Sequence, residues 1–439
     1  MNASPELIHN DLIEDLTRRL TRARTNTHAL VAGINDNFLC RQFSPLMSPL
    51  IWDLGHIAHF EALWLLRNLG SPIAANHEFD RFFDPIQSPR AVRGELELPT
   101  RSQTLDYMAE IRARALDGLN RQDFDTELTR EGYVYRMIEQ HETQHQETML
   151  QALDLHAHTD ELALFAPPAA NPRSVDDQDR VFVPASAIAL GTADRQSAYD
   201  NERPQHTTMV RDFVIDRYPV TNRRYLEFIE DDGYRRDALW SESGRRWRDE
   251  HRPLAPQGWL RHENEWFIRQ FGHHCAFRPQ QILQHVSFFE AEAFATWCGG
   301  RLPSEAEWEK AAGWDVEQNR MRTHPWGAAP ASRAYANIDH LGWGPSEVGA
   351  YPDGASAYGV EHMLGDVYEW TSTPFGGYPG FNAFPYPQYS EVFFGTEYRV
   401  LRGASWASAA SCSRNSFRNW DYPMRRQIFA GIRVAWDAE

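Results

Sequence analysis

Cysteine is scarce. There are four in 439 residues, at positions 40, 275, 298 and 412, with no CxxC and no two close together. Neither a thiolate zinc site nor a disulfide framework is signalled by that spacing. No apolar run reaches the roughly 18 residues that a membrane-spanning helix needs. The N-terminus is polar and has neither an apolar leader nor a cleavage site. These absences point to a reducing cytoplasm. Positive charge is also in deficit: the net charge of −17 argues against a broad nucleic-acid or anionic-membrane surface. Internal repeats and low-complexity segments are missing as well. What remains is the composition of a folded soluble protein, 42% hydrophobic and 24% charged. At this length two or three domains are expected rather than one core.

The text changes character near residue 165. Before it, glycine is rare and apolar residues recur at helical spacing. Four stretches read as long helices: "LIEDLTRRLTRARTNTHALVAGI" (12–34), "SPLIWDLGHIAHFEALWLLRNLG" (48–70), "RSQTLDYMAEIRARALDGL" (101–119) and "VYRMIEQHETQHQETMLQALDLHA" (134–157). Pro49 is placed for a first helical turn and Gly70 for a C-cap. Four such helices predict an up-down bundle, although the connection from 70 to 100 is long for one. "LFAPPAANPRSVDDQDR" (164–180) reads as a linker. Beyond it, "FVPASAIALG", "FVIDRYPVT", "YRVLRGASW" and "GIRVAW" predict short strands in a loop-rich α+β domain. "NRRYLEFIEDDG" predicts a helix there, and so does "FFEAEAFATWCGG" with "PSEAEWEKAAG" as its continuation.

His141 and His145, in "HETQHQETML", stand four apart, which places two imidazoles on one helix face. The second helix supplies His56 and His59 among Trp, Ile, Phe and Leu, where a histidine needs a partner. Bundles build metal sites from side chains on facing helices, and imidazole-only ligation suits Zn, Fe, Cu or Ni. The competing reading is a solvated pair plus core histidines bonded to carbonyls. Glu142 points about 100° round the helix from His141, and Glu147 faces away from both histidines. Three histidines therefore fit better than two histidines and a carboxylate.

Other clusters carry weaker signals. Arg90 and Arg93 lie three apart in "SPRAVRGELELP", flanked by prolines, and paired guanidinium groups suit a carboxylate. "GGYPGFNAFPYPQYSEVFF" is aromatic and proline-rich without strand alternation, so it is a packed lid or a site wall; Tyr386 and Tyr389 are its candidate proton donors. "SFRNWDYPMRRQ" groups Asn419, Trp420 and Asp421 after a turn, where Asp421 suits an ammonium and Trp420 a cation. For each, a solvated charge or a structural aromatic is the competing reading.

Taken together, "SPLIWDLGHIAHFEALWLL", "HETQHQETMLQAL", "DNERP", "PVTN", "GRLPSEAEWEKA", "MLGDVYEWTSTP", "YRVLRGASW" and "FRNWDYPMRRQIFAGIRVAWD" resemble, in order and over the full length, the nonheme iron sulfoxide synthases of ergothioneine biosynthesis. The resemblance implies an α+β chain. Residues 1–165 would form a DinB-like four-helix bundle carrying the iron ligands. Residues 166–439 would form a formylglycine-generating-enzyme-type, C-type-lectin-like domain lining the substrate site. The copper-binding cysteine pair of formylglycine-generating enzymes has no counterpart.

The resemblance also implies roles. His56, His141 and His145 would hold Fe(II), His56 being favoured over His59 by the "WDLxH" pattern. Gln144 would contact the imidazole of hercynine. Arg90 and Arg93 would grip the carboxylates of γ-glutamylcysteine, and Asp421 its amino group. Asn419 and Trp420 would line the betaine end of hercynine, and Tyr386 would donate a proton with Tyr389 beside it. Thr143, Gln146 and Tyr368 depart from the usual pattern at positions expected to leave the site intact. The implied activity is iron- and O2-dependent C–S bond formation between hercynine and the thiol, giving a hercynyl sulfoxide conjugate. A selenoneine synthase, which joins a selenosugar to hercynine, is the near alternative, and a non-catalytic ligand-binding protein the distant one. Nothing in the sequence specifies the oligomeric state.

Overall fold

The computed structural model describes residues 5–70, 78–155, 172–340 and 343–438. The chain divides into two compact units, Met1–Ala163 with Arg195–Ser197, and Leu164–Asp194 with Ala198–Glu439. Part of the linker read at 164–180, over 164–171, lies outside the described residues, as do positions 156–157 of the fourth predicted helix. Within the described residues, no helix is long and apolar enough to cross a membrane.

In the first unit the long helices, among the described residues, are α1 (Pro5–Val31), α2 (Leu50–Glu61), α3 (Arg101–Leu119) and α4 (Tyr133–Asp154). Pro49 is the N-cap of α2 rather than a residue of its first turn; its carbonyl accepts from the Trp52 amide at 2.9 Å. After Glu61 the helix loosens into π-type turns over Ala62–Arg67, and the chain leaves it at Gly70, whose φ of +80° favours glycine. Thr100 and Gln103 form a reciprocal capping box that starts α3.

Helix α2 packs on α3 and α4, and α1 packs on α4. Every residue of α2 is buried, as its nearly continuous apolar sequence requires. Leu54, Ile57, Met108, Ile111, Ile138 and Leu150 belong to the buried interior, each contributing roughly 1.5–3 kcal/mol on burial.

Four of the charged side chains buried in this bundle form one network. Arg24 of α1 bonds Glu142 of α4 at 2.8 Å and Glu61 of α2 at 2.7 Å. Arg112 of α3 bonds the same two acids at 2.7 Å and 2.5 Å. Each helix therefore contributes one charge to a closed ring. Burial by itself raises the Glu142 carboxyl, but Arg24 and Arg112 outweigh it and hold the group at about 2 against an ordinary 4.5. A depressed pKa means stability that is present above pH 4.5 and lost as pH falls towards 2. Glu142→Gln leaves both guanidinium groups short of a counter-charge and is expected to cost about 3–5 kcal/mol. Chemical unfolding of the metal-free protein measures this, and an unchanged midpoint refutes it.

The second unit starts with β1 (Arg180–Val183), β2 (Ser186–Leu190), β3 (His206–Val210), β4 (Phe213–Asp216) and the helices α5 (Asn222–Glu230) and α6 (Glu242–His251). It continues with β5 (Trp259–His262), β6 (Glu265–Gln270), β7 (His273–Ala276), α7 (Phe288–Trp297) and α8 (Glu305–Gly313). Strands β8 (Tyr368–Pro374), β9 (Arg399–Arg402), β10 (Asn419–Asp421), β11 (Ala430–Gly431) and β12 (Ala435–Asp437) follow. The sheets run β1-β4-β12, β2-β3, β5-β6-β7 and β10-β9-β8-β11, and a short hairpin pairs Trp314–Asp315 with Arg320–Met321. A core of Phe213, Ile215, Trp308, Val360, Met363 and Ala404 packs between helix and sheet. The whole chain is α+β.

In the second unit the sequence reading needs correction at one point and extension at two. The helix at 288–297 does not continue into 305–313: Gly299 has φ +70°, a Cβ on Gly300 would lie 2.7 Å from the Ala435 carbonyl, and Ser304 caps a new helix with Glu307. Asn419–Asp421 follows a turn, as expected, closed by the Phe417 amide on the Arg414 carbonyl at 3.1 Å, and forms an edge strand with Trp420 opposite Val400. The meander β5-β6-β7 was not anticipated, although Glu263 and Phe271, both at positive φ, mark its two turns.

Candidate active site

His141 and His145 lie one turn apart on α4 and face His56 on α2. One nitrogen from each of the three lies within 4.8 Å of the other two, the ring centroids being 4.6–5.2 Å apart. Two of the rings are oriented from behind. His56 Nδ1 is 2.8 Å from the Phe83 carbonyl, which can only accept, so Nδ1 carries the proton and Nε2 keeps its lone pair. His145 Nδ1 is 2.9 Å from the buried Asp53 carboxylate, which accepts from it and turns the other nitrogen towards the group. His141 lies flat on Phe60, with centroids 3.8 Å apart. Burial first, then the neighbouring imidazoles, push His56 and His141 well below their ordinary range. Both are thus neutral at physiological pH, the form that binds a metal. The neutral His56 and His141 rings, the Nδ1 partners of His56 and His145 and the mutual approach of all three fit a single metal ion.

His59 is engaged elsewhere. Its Nδ1 is 2.9 Å from Asp80, which Arg67 also holds, and it is not part of the three-histidine group. Thr143 bonds the Gln140 carbonyl, and Gln146 reaches the Ala23 carbonyl and Thr27 on α1. Gln144 is half-buried, with its amide 3.3 Å from the Gln140 carbonyl.

Arg90 and Arg93 lie in a 3-10 helix, Arg90–Glu95, where a loop was expected. Their environments differ. Arg90 is exposed, with Nη1 3.2 Å from the Leu46 carbonyl. Arg93 is buried over the Trp52 ring at 3.2 Å and donates to the Ser88 carbonyl and the Ser48 hydroxyl. Burial, then the charge of Arg90, lowers the Arg93 guanidinium to about 9, so it stays charged at neutral pH. Trp52 also stacks on His56, with centroids 4.7 Å apart, which links the arginine and histidine clusters.

In the second unit, Tyr386, Tyr389 and Trp420 come together. Tyr386 and Tyr389 meet edge to face at 6.4 Å, and Tyr389 meets Trp420 in the same way at 5.7 Å. Trp420 lies flat on Phe375, with centroids 4.2 Å apart, so its ring is braced from one side. Asn419 accepts from the Trp420 amide, and Asp421 accepts from the Tyr422 amide and pairs with Arg425 at 3.4 Å. Burial, then the neighbouring Tyr199, pushes the Tyr389 phenol well above its usual range.

The sequence matches two family descriptions, the DinB superfamily over residues 19–149 and the sulfatase-modifying factor enzyme 1-like domain over 165–438. A hercynine oxygenase of Mycolicibacterium smegmatis is 46% identical over 97% of this chain and 99% of its own length. Those of Mycobacterium tuberculosis and Mycolicibacterium thermoresistibile are each 45% identical, over 97% of this chain and 99% and 95% of theirs. This chain belongs to the hercynine oxygenase family. As a member of that family it is an enzyme.

Some functional candidates in this family member were not singled out from sequence. Asp53 and Phe83 orient His145 and His56, and Phe60 supports His141. A signal for Asp53 existed: an acid three residues before His56, on a helix otherwise apolar, needs a buried partner. Phe83 acts through its backbone and left no signal.

Proposed function

We propose that this hercynine oxygenase-family enzyme joins hercynine to γ-glutamylcysteine in an iron(II)- and O2-dependent reaction on the route to ergothioneine, in the cytoplasm. A C–H bond of the imidazole and the S–H bond break, and C–S and S–O bonds form. O2 accepts four electrons, one oxygen entering the sulfoxide and the other leaving as water. The observation that carries the reading is the group of three converging imidazoles, two of them held from behind through Nδ1, in a chain so similar to hercynine oxygenases.

His56, His141 and His145 would hold the iron. When bound, iron(II) supplies a Lewis acid that acidifies the thiol and the electrons that activate O2. Arg90 and Arg93 take the donor's carboxylates and Asp421 its ammonium. Asn419 and Trp420 receive the trimethylammonium end of hercynine, and Gln144 its imidazole. Tyr386, with Tyr389 beside it, delivers a proton as charge builds on the reduced oxygen. Holding both substrates in place supplies the proximity that coupling needs.

The test is turnover with hercynine under O2, comparing γ-glutamylcysteine, cysteine and a selenosugar. The highest kcat/KM is expected with γ-glutamylcysteine. A preference for the selenosugar overturns the donor, and no turnover with any donor overturns the reading. Arg90→Ala removes a charged hydrogen-bonding partner worth about 1.5–3 kcal/mol, or roughly one to two decades of affinity. Because Arg90 is exposed, the KM for the thiol should rise while that for hercynine and the unfolding midpoint stay put. Equal effects on both substrates would count against the assignment.

A further inference from the structure

The "DNERP" motif takes no part in the proposed chemistry, yet its first residues lie under the tyrosine segment. Asp200 is buried, at 1% exposure, and its carboxylate reaches both ends of that segment. Oδ2 accepts from the Phe384 amide at 3.1 Å, and Oδ1 accepts from the Ser390 hydroxyl at 2.5 Å. Asn201 adds a second bond to the Ser390 hydroxyl, at 3.1 Å. Tyr199, just before Asp200, stacks on Tyr389 with centroids 4.2 Å apart.

The base is itself fixed. Glu202 accepts from the Tyr199 amide at 2.8 Å and pairs with the buried Arg414, while Arg418 donates to the Asn201 carbonyl at 2.7 Å. Tyr386 and Tyr389 therefore lie on a short arch whose two feet stand on one carboxylate. The arch spans 384–390 and contains only a single 3-10 turn, Pro387–Tyr389. The arch has little regular structure of its own, so the aim of its phenols depends on its two ends as well as on the rings packed against them.

We propose that Asp200 is a positioning residue for Tyr386: by holding Phe384 and Ser390 together it sets where the phenol points, and so sets the ratio of coupled sulfoxide to thiol sulfinate. The inference rests on the proton-donor role given to Tyr386 above. Both products form from one O2, so a misaimed donor redirects the reaction rather than stopping it.

The experiment uses the full-length, iron-loaded enzyme with hercynine, γ-glutamylcysteine and O2. It compares wild type, Asp200→Ala, Asp200→Asn, Tyr386→Phe and the double variant Asp200→Ala/Tyr386→Phe. Hydrogen exchange over 384–390 is read alongside the product ratio. Asp200→Ala should speed exchange there by about tenfold or more and shift the ratio towards sulfinate by about tenfold. Asp200→Asn keeps an acceptor for the Phe384 amide and a donor for Ser390, and should restore most of the ratio. In the Tyr386→Phe background, Asp200→Ala should change the ratio by less than about twofold, because the group it positions is gone.

Unchanged exchange, or an equal shift in both backgrounds, overturns the proposal. If Asp200→Ala does not fold, Ser390→Ala cuts one foot only and must give a smaller shift of the same sign, and no shift overturns the proposal. If Tyr386→Phe alone leaves the ratio unchanged, the proton-donor assignment falls. The tether is then decided by the exchange measurement.

Discussion

His145→Ala is expected to abolish iron retention, and His59→Ala to leave it largely intact. The contrast is informative because all four histidines lie in the same bundle and His56 and His59 share a helix. His59 Nδ1 is committed to Asp80, itself clamped by Arg67, and stands outside the three-nitrogen group. His145 is held by Asp53 so that its other nitrogen is available beside those of His56 and His141. Removing one of three ligands leaves two imidazoles and more water, a set that does not outlast gel filtration. Iron per chain is to be measured after anaerobic loading and desalting. Retention in His145→Ala, or loss in His59→Ala with retention in His56→Ala, would overturn the ligand set. A thermal melt of each metal-free variant separates ligand loss from unfolding, since His145 contributes little to the apolar interior.

Local pattern carried much of the architecture. The helices α1 to α4 follow from apolar spacing. The histidine spacing on α4 is likewise a local property of one helix. What was not legible depends on contacts between distant residues. Glu142 reads only as a poorly placed metal ligand; what its carboxylate does hold, Arg24 and Arg112, lies 118 and 30 residues away. Arg93 reads as a loop arginine, but Ser48, 45 residues before it, and the Trp52 ring draw it into the interior. The break between α7 and α8 follows from how closely Gly300 approaches Ala435, a distance that no helical period encodes. Asp200 meets Phe384 and Ser390 across 184 and 190 residues, so "DNERP" shows a motif without showing what it holds.

Tyr386→Phe should keep iron and both substrates, and still consume O2, while diverting the thiol to its sulfinate. Phenylalanine preserves the ring and its edge-to-face contact with Tyr389 and deletes only the hydroxyl. An ordinary phenol, with a pKa of about 10, is protonated at neutral pH and can donate as negative charge develops on oxygen. Positioned general acids typically contribute about 10²–10⁴-fold. Loss of that factor from the coupling branch alone makes the sulfinate the main product, because sulfinate formation draws on the same thiol and O2 without requiring the proton. Tyr389 is the natural rival, and its environment argues against it. Burial and the stacked Tyr199 push its phenol well above the usual range, which makes it a weaker acid than an ordinary phenol. Tyr389→Phe is therefore expected to change the product ratio less than Tyr386→Phe does. Mass spectrometry of the products, with O2 uptake recorded in parallel, decides between them. A sulfoxide-to-sulfinate ratio unaffected by Tyr386→Phe but collapsed by Tyr389→Phe would transfer the donor role from one tyrosine to the other.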